Sequence, residues 1–145
     1  MIKRTLFQFF FYFGVIFICI FFLPALIFPQ KITIYGGKIL GLWSKFCLEI
    51  FLSTKIVVKG KEKILNNEKF FIASAHQSQF ETFFLQSIFN SPVFILKKEL
   101  LRIPIFGWQL KKIGSISIDR NKITKENLGF SEKIKKHIEN SNRPI

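Results

Sequence analysis

Residues 6–28 form a 23-residue run without a charge, Gln8 being its main polar interruption, flanked by Lys3, Arg4 and Lys31. A helix of that length rises about 34 Å at ~1.5 Å per residue, close to the ~30 Å hydrocarbon layer of a bilayer. The pattern predicts a chain that begins in a membrane. A cleaved secretory leader is the competing reading, but its apolar core spans roughly 7 to 15 residues and ends at a small-x-small site, neither of which is seen here. Pro24 and Pro29 weaken the end of the helix, and a second apolar stretch covers 39–52, broken by Lys45 and Glu49. There Leu42, Trp43, Phe46 and Ile50 recur near the helical period, which suits an amphipathic helix at the membrane interface better than a second crossing. Together the two stretches can form a helical hairpin that dips into one leaflet. Cations dominate after Lys31, so the positive-inside rule places the remainder on the cytoplasmic side of the cytoplasmic membrane.

Beyond Thr54 the pattern changes to short β-rich runs between polar helical stretches. Strands are predicted at 55–59, 70–75, 93–96 and 115–118, and helices at 79–89 and 122–139. This alternation indicates an α/β domain with helices packed on a sheet. The organisation is therefore a membrane-anchoring segment over 1–54 and an α/β domain over 55–145. A chain of 145 residues suits one compact domain.

Composition narrows the picture. With 49% hydrophobic residues and 20 Phe, a disordered tail is excluded. The net charge of +13, with 18 of the 22 basic residues lysine, points to an acidic partner surface. Phosphate-bearing lipid and nucleic acid both qualify, although no nucleic-acid motif accompanies the charge, and base composition in the gene also contributes lysine. Cys19 and Cys47 lie in apolar surroundings and suit packing rather than a disulfide framework or a zinc site. Acid–base chemistry has few residues to draw on: two histidines, His76 and His137, and a single aspartate, Asp119. His137, among Lys133, Lys135 and Lys136, reads as a solvated surface residue.

His76 stands where the strand at 70–75 runs into the helix at 79–89, the kind of crevice in which α/β proteins bind ligands. Glu81 follows five residues later. Within one continuous helix the two side chains would diverge by about 140°, so His76 must precede the helix and Glu81 must lie in its first turn. A carboxylate so placed can accept from one imidazole nitrogen and leave the other free to take a proton. The helix N-terminus disfavours an imidazolium nearby and keeps a base neutral near pH 7. Ser78 to Glu81 also reads S-x-x-E, a capping box in which Glu81 returns to the Ser78 amide. The residues alone leave both roles for Glu81 open.

Three blocks in order resemble the 1-acylglycerol-3-phosphate acyltransferases. The first is Ala73-Ser74-Ala75-His76-Gln77-Ser78-Gln79-Phe80-Glu81-Thr82, a histidine, four residues and an acid. The second spans 97–108, with Lys97, Leu100, Pro104 and Gly107 at the family's spacings. The third, Gly114-Ser115-Ile116-Ser117-Ile118-Asp119-Arg120, is a strand ending in Asp-Arg. The resemblance implies a partial glycerolipid acyltransferase sheet with flanking helices, and a reaction in which the 2-hydroxyl of lysophosphatidic acid attacks the thioester of acyl-ACP or acyl-CoA to give phosphatidic acid. His76 would then remove the hydroxyl proton, Glu81 would orient it, and Lys97 and Arg120 would hold the acceptor's phosphate. Ser78, Pro104, Gly107 and Asp119 would support the motifs. No metal or organic cofactor is expected, because a thioester is already an activated donor. Read singly, each has a plainer alternative: Arg120 pairing with Asp119 or solvent, and Lys97 and Lys98 as surface lysines.

Two departures stand out. The acid is Glu81 where most members carry Asp, a longer side chain also found in lipid A late acyltransferases. The family continues through a further strand to a fourth block, Glu-Gly-Thr-Arg, whereas this sequence ends at Asn142-Arg143-Pro144-Ile145, which implies a C-terminally truncated product. Other acceptors within the superfamily, such as glycerol-3-phosphate, a lysophospholipid or a lyso-ornithine lipid, share the same hydroxyl chemistry. A non-enzymatic, membrane-tethered basic binding module is the reading from a different class.

Overall fold

The computed structural model describes residues 2–64, 70–75, 78–89, 92–118, 128–141 and 143–145. Helix α1 (Ile2–Phe21) is long and apolar enough to cross a membrane. It ends seven residues short of the predicted run, for a backbone reason. Pro24 has no N–H to donate, and the chain tightens into a 3-10 turn at Pro24–Leu26, with Leu23 donating to the Ile20 carbonyl at 3.0 Å. Helix α2 (Gln30–Leu52) then starts directly after Pro29 and stops at Ser53, whose φ of 52° is left-handed. The second stretch is thus a full helix nine residues longer at its start than the predicted amphipathic piece.

The two helices run antiparallel. Phe10 stacks on Phe51 with ring centroids 5.0 Å apart, Gly14 lies against the Trp43 indole, and Gly36 lies against the Phe22 ring. Glycine at both contacts lets the backbones come close enough for the aromatic partners to fill the space. The predicted stripe divides: Trp43 turns towards α1, while Leu42, Phe46 and Ile50 remain exposed. They share this exposure with Phe9, Phe13, Phe17 and Phe21, which stack in sequence along α1. So large an exposed apolar surface is one that water does not tolerate without a partner.

Helix α3 (Gln79–Ile88) packs across α2 at Gly41, where a Cβ would meet the Phe83 carbonyl oxygen at 2.5 Å. Phe11, Leu40, Cys47 and Phe83 form one buried cluster, so the hairpin and α3 share a core.

Among the described residues the sheet has two parallel strands, β1 (Ile95–Lys97) and β2 (Ile116–Ile118), with Ile95 opposite Ile116 and Lys97 opposite Ile118. A 3-10 turn at Lys98–Arg102 and helix α4 (Phe106–Lys112) connect them. The α/β class is therefore borne out, with shorter strands than the sequence suggested. Among the described residues the run at 55–59 forms no ladder, and 93–96 is a strand only from Ile95. The run at 70–75 is extended, and its backbone bonds among the described residues are Ile72 donating to Ile145 at 2.6 Å and Ile145 donating to Phe70 at 3.3 Å. On the other side of the same terminal segment Val93 donates to Pro144 at 2.7 Å. Helix α5 (Leu128–Asn140) covers this layer through Phe130, Ile134 and Ile138, packed on Val93, Ile116 and Ile145; the predicted start of that helix, 122–127, lies outside the described residues.

Candidate active site

The first turn of α3 is built as S-x-x-E dictates. Ser78 is the N-cap, its Oγ accepting from the Phe80 amide at 3.2 Å, and Glu81 accepts from the Ser78 amide at 3.1 Å through Oε1 and 3.0 Å through Oε2. The Ser78 hydroxyl also donates to Glu81 Oε2 at 2.7 Å. Glu81 thus sits in the first turn, where the spacing argument requires it. The capping role is realised.

Ser74, Glu81 and Thr82 line one cavity of about 160 Å³, together with Ile72, Leu85 and Ile95. Ser74 precedes His76 by two residues and Glu81 follows it by five, so both flanks of the first block reach this cavity. His76 itself lies outside the described residues, as do Asp119 and Arg120. Lys97 is the exposed last residue of β1, and its strand partner is Ile118, the residue immediately before Asp119 and Arg120. Parallel pairing therefore carries the second and third blocks out of the sheet at the same end.

The second block has a steric logic. Gly107 is buried, and a Cβ there would overlap the Leu101 carbonyl oxygen. Just before it, the Phe106 amide donates to the Pro104 carbonyl at 2.6 Å across Ile105, whose φ of 62° and ψ of −62° define a γ-turn of the rare positive-φ kind. A β-branched residue adopts this conformation only against strain of order 1–3 kcal/mol, so the surrounding packing must hold it.

That turn borders an apolar groove of about 450 Å³ which sequence reasoning did not find. One wall is Ile16 and Ile20 of α1, the other is Leu100, Ile103 and Ile105, and Thr82 of α3 lies at the groove as well as at the smaller cavity. A second unforeseen contact locks α1 to α4. Because Leu23 bonds to Ile20, the Cys19 carbonyl is released from the helical ladder, and Gln109 Nε2 donates to it at 2.7 Å. Both arrangements depend on residues about 90 positions apart, so no local pattern announces them.

His137 departs from its predicted solvated state. It is half-buried, and its Nε2–H donates to the Arg143 carbonyl at 3.2 Å. Arg143 in turn donates from Nη1 to the Ile113 carbonyl at 2.8 Å, and burial draws its guanidinium below the usual arginine range. Cys19 and Cys47 are both buried, as packing residues should be. Among the described residues no three His, Cys, Asp or Glu side chains gather into a set that could hold a metal ion.

Residues 55–145 match the model of the Acyltransferase family, which covers more than half of the chain, and the chain belongs to that family. Over 82 residues it is 38% identical to the 1-acyl-sn-glycerol-3-phosphate acyltransferase of Pseudomonas aeruginosa. That alignment takes in 54% of this chain and 32% of the relative, so the chain spans about a third of the curated protein it matches. No solved structure matches the chain significantly.

Proposed function

We propose that the protein transfers a fatty acyl group from acyl-ACP or acyl-CoA to the 2-hydroxyl of lysophosphatidic acid, giving phosphatidic acid. His76 takes the hydroxyl proton as the oxygen attacks the thioester carbonyl; the tetrahedral intermediate collapses, the C–S bond breaks, and the proton passes to the departing thiolate. Glu81 fixes the imidazole tautomer and stabilises the transient imidazolium. Lys97 and Arg120 hold the acceptor's phosphate, the guanidinium bidentately and the ammonium as a point charge. Ser78, Pro104, Gly107 and Asp119 support these groups. Residues 1–54 anchor the α/β domain over 55–145 to the cytoplasmic face of the membrane, the α1–α2 hairpin entering one leaflet.

The observation that carries this reading is the place of the first block between two cavities, of which the smaller takes in the Glu81 carboxylate and the larger is an apolar groove. Glu81 and Ser74 border the smaller one, while Thr82, beside Glu81, also borders an apolar groove roomy enough for much of an acyl chain. An amphiphile with its chain in the groove has its hydroxyl delivered to the block, which is what acyl transfer to a lysolipid demands. The second support is family membership together with the named relative.

Replacing Arg120 by Ala separates the phosphate role from the chemistry. In vesicle assays the KM for lysophosphatidic acid rises at least about tenfold, the loss of a charge-assisted pair of roughly 1.5–3 kcal/mol, and turnover at saturation changes little. An unchanged KM removes Arg120 from the phosphate site.

A further inference from the structure

We propose that the segment from Lys98 to Lys112 is a second membrane-docking surface, one that seats in the anionic headgroup layer beside the hairpin; this rests on the reading that α1 and α2 enter a leaflet. Leu100, Ile103 and Trp108 are exposed on this segment, at 38%, 43% and 50%. Large apolar side chains at three positions of a short connection are hard to reconcile with free solvent. Leu100 and Ile103 line the same groove as Ile16 and Ile20 of α1, so the apolar surface of α1 continues across the groove onto this connection.

Charge supplies the partner's chemistry. Lys98, Arg102, Lys111 and Lys112 give this segment four cations against one carboxylate, Glu99. Apolar tips ringed by lysine and arginine, with an exposed tryptophan one turn beyond Pro104, are the composition of a surface that sits where phosphates meet acyl chains. Each cation near an anionic leaflet adds attraction that fades within a Debye length. A protein partner of similar shape would select for fewer lysines, which are depleted in interface cores.

The fixed attachment of this segment strengthens the case. Gln109 is bonded to the Cys19 carbonyl at the break in the hairpin, so α4 is tied to α1. Docking here would set how deeply the first block faces the bilayer. The groove mouth between Ile16 and Ile103 would then open onto lipid rather than water, and a lysolipid could slide into it without leaving the leaflet.

Tryptophan quenching tests this in the full chain reconstituted in vesicles containing phosphatidylglycerol. Trp43→Phe leaves Trp108 as the sole reporter, and Trp108→Phe leaves Trp43, which packs within the hairpin; subtracting the second variant's signal from the unmodified protein gives Trp108 again without disturbing Trp43. Trp108 is expected to be quenched at least about twofold more by lipids brominated near the glycerol end of the chain than by those brominated near the methyl end, and to resist aqueous iodide. Charge reversal at Arg102, Lys111 and Lys112 together should abolish most of that lipid quenching while Trp43 keeps its own. If iodide reaches Trp108 and bromolipid does not, while Trp43 is quenched by bromolipid, the second surface is wrong and the hairpin stands. Protection of Trp108 from both quenchers means a protein covers this face and overturns the proposal. Absence of bromolipid quenching at both tryptophans overturns the hairpin reading and this inference with it.

Discussion

His76→Ala is expected to lower acyl transfer to lysophosphatidic acid by about 10²–10⁴-fold, which is the worth of a positioned general base and corresponds to roughly 2.7–5.5 kcal/mol of transition-state stabilisation. An alcohol is a poor nucleophile at neutral pH, and nothing else in the first block can take its proton near pH 7. His137, the other imidazole, is engaged with the Arg143 carbonyl on the layer covered by α5, and it cannot substitute. The loss should fall on turnover, with the KM for the acceptor little changed, because the residues proposed to hold the phosphate, Lys97 and Arg120, are left intact. Retained turnover in this variant would remove His76 from the role of base.

Glu81→Gln has the second large effect and separates the capping role of this carboxylate from the catalytic role proposed for it. Glutamine is accepted at the third position of a capping box, so the Ser78 amide keeps its partner and thermal stability moves by no more than about 0.5 kcal/mol. The negative charge is lost, however, and with it the stabilisation of an imidazolium. A carboxylate-to-amide change behind a catalytic histidine costs about 10⁴ in the serine-protease triad, and a loss of about 10²–10⁴ is expected here. Ser78→Ala gives the converse pattern. It removes the cap and costs roughly 1 kcal/mol of stability while leaving the carboxylate in place, so activity below the melting transition falls far less than in Glu81→Gln. If Glu81→Gln keeps full activity, Glu81 is a helix cap and nothing more.

How much of this was legible in the sequence depended on whether the signal was local. The start of α3 was, since S-x-x-E before an apolar-periodic run names both the N-cap and the residue that returns to it. The end of α1 was half legible. Pro24 was visible, but the apolar run continued past it to Phe28, and apolarity alone does not report that a missing N–H tightens the backbone from Leu23 onwards. Strand lengths were the weakest reading, because whether 55–59 or 70–75 forms a ladder is decided by partners far along the chain rather than by their own β-branched content. Of the site, the block order was legible through the family resemblance, and Gly107 has a steric reason in the Leu101 carbonyl that only the fold exposes. The groove, the turn at Ile105 and the bond from Gln109 to Cys19 had no sequence signal, since each arises where α1 meets a segment some ninety residues away. His76, Asp119 and Arg120 lie outside the described residues, so their roles rest on the blocks that contain them.

Acyl transfer from a thioester to an alcohol fixes a stoichiometry. Protein reconstituted in vesicles with lysophosphatidic acid and an acyl thioester should release one free thiol for every phosphatidic acid formed, both followed in the same sample by thiol titration and mass spectrometry. Thiol released without phosphatidic acid, or vesicles fully bound by the protein while the thioester stays intact, contradicts it.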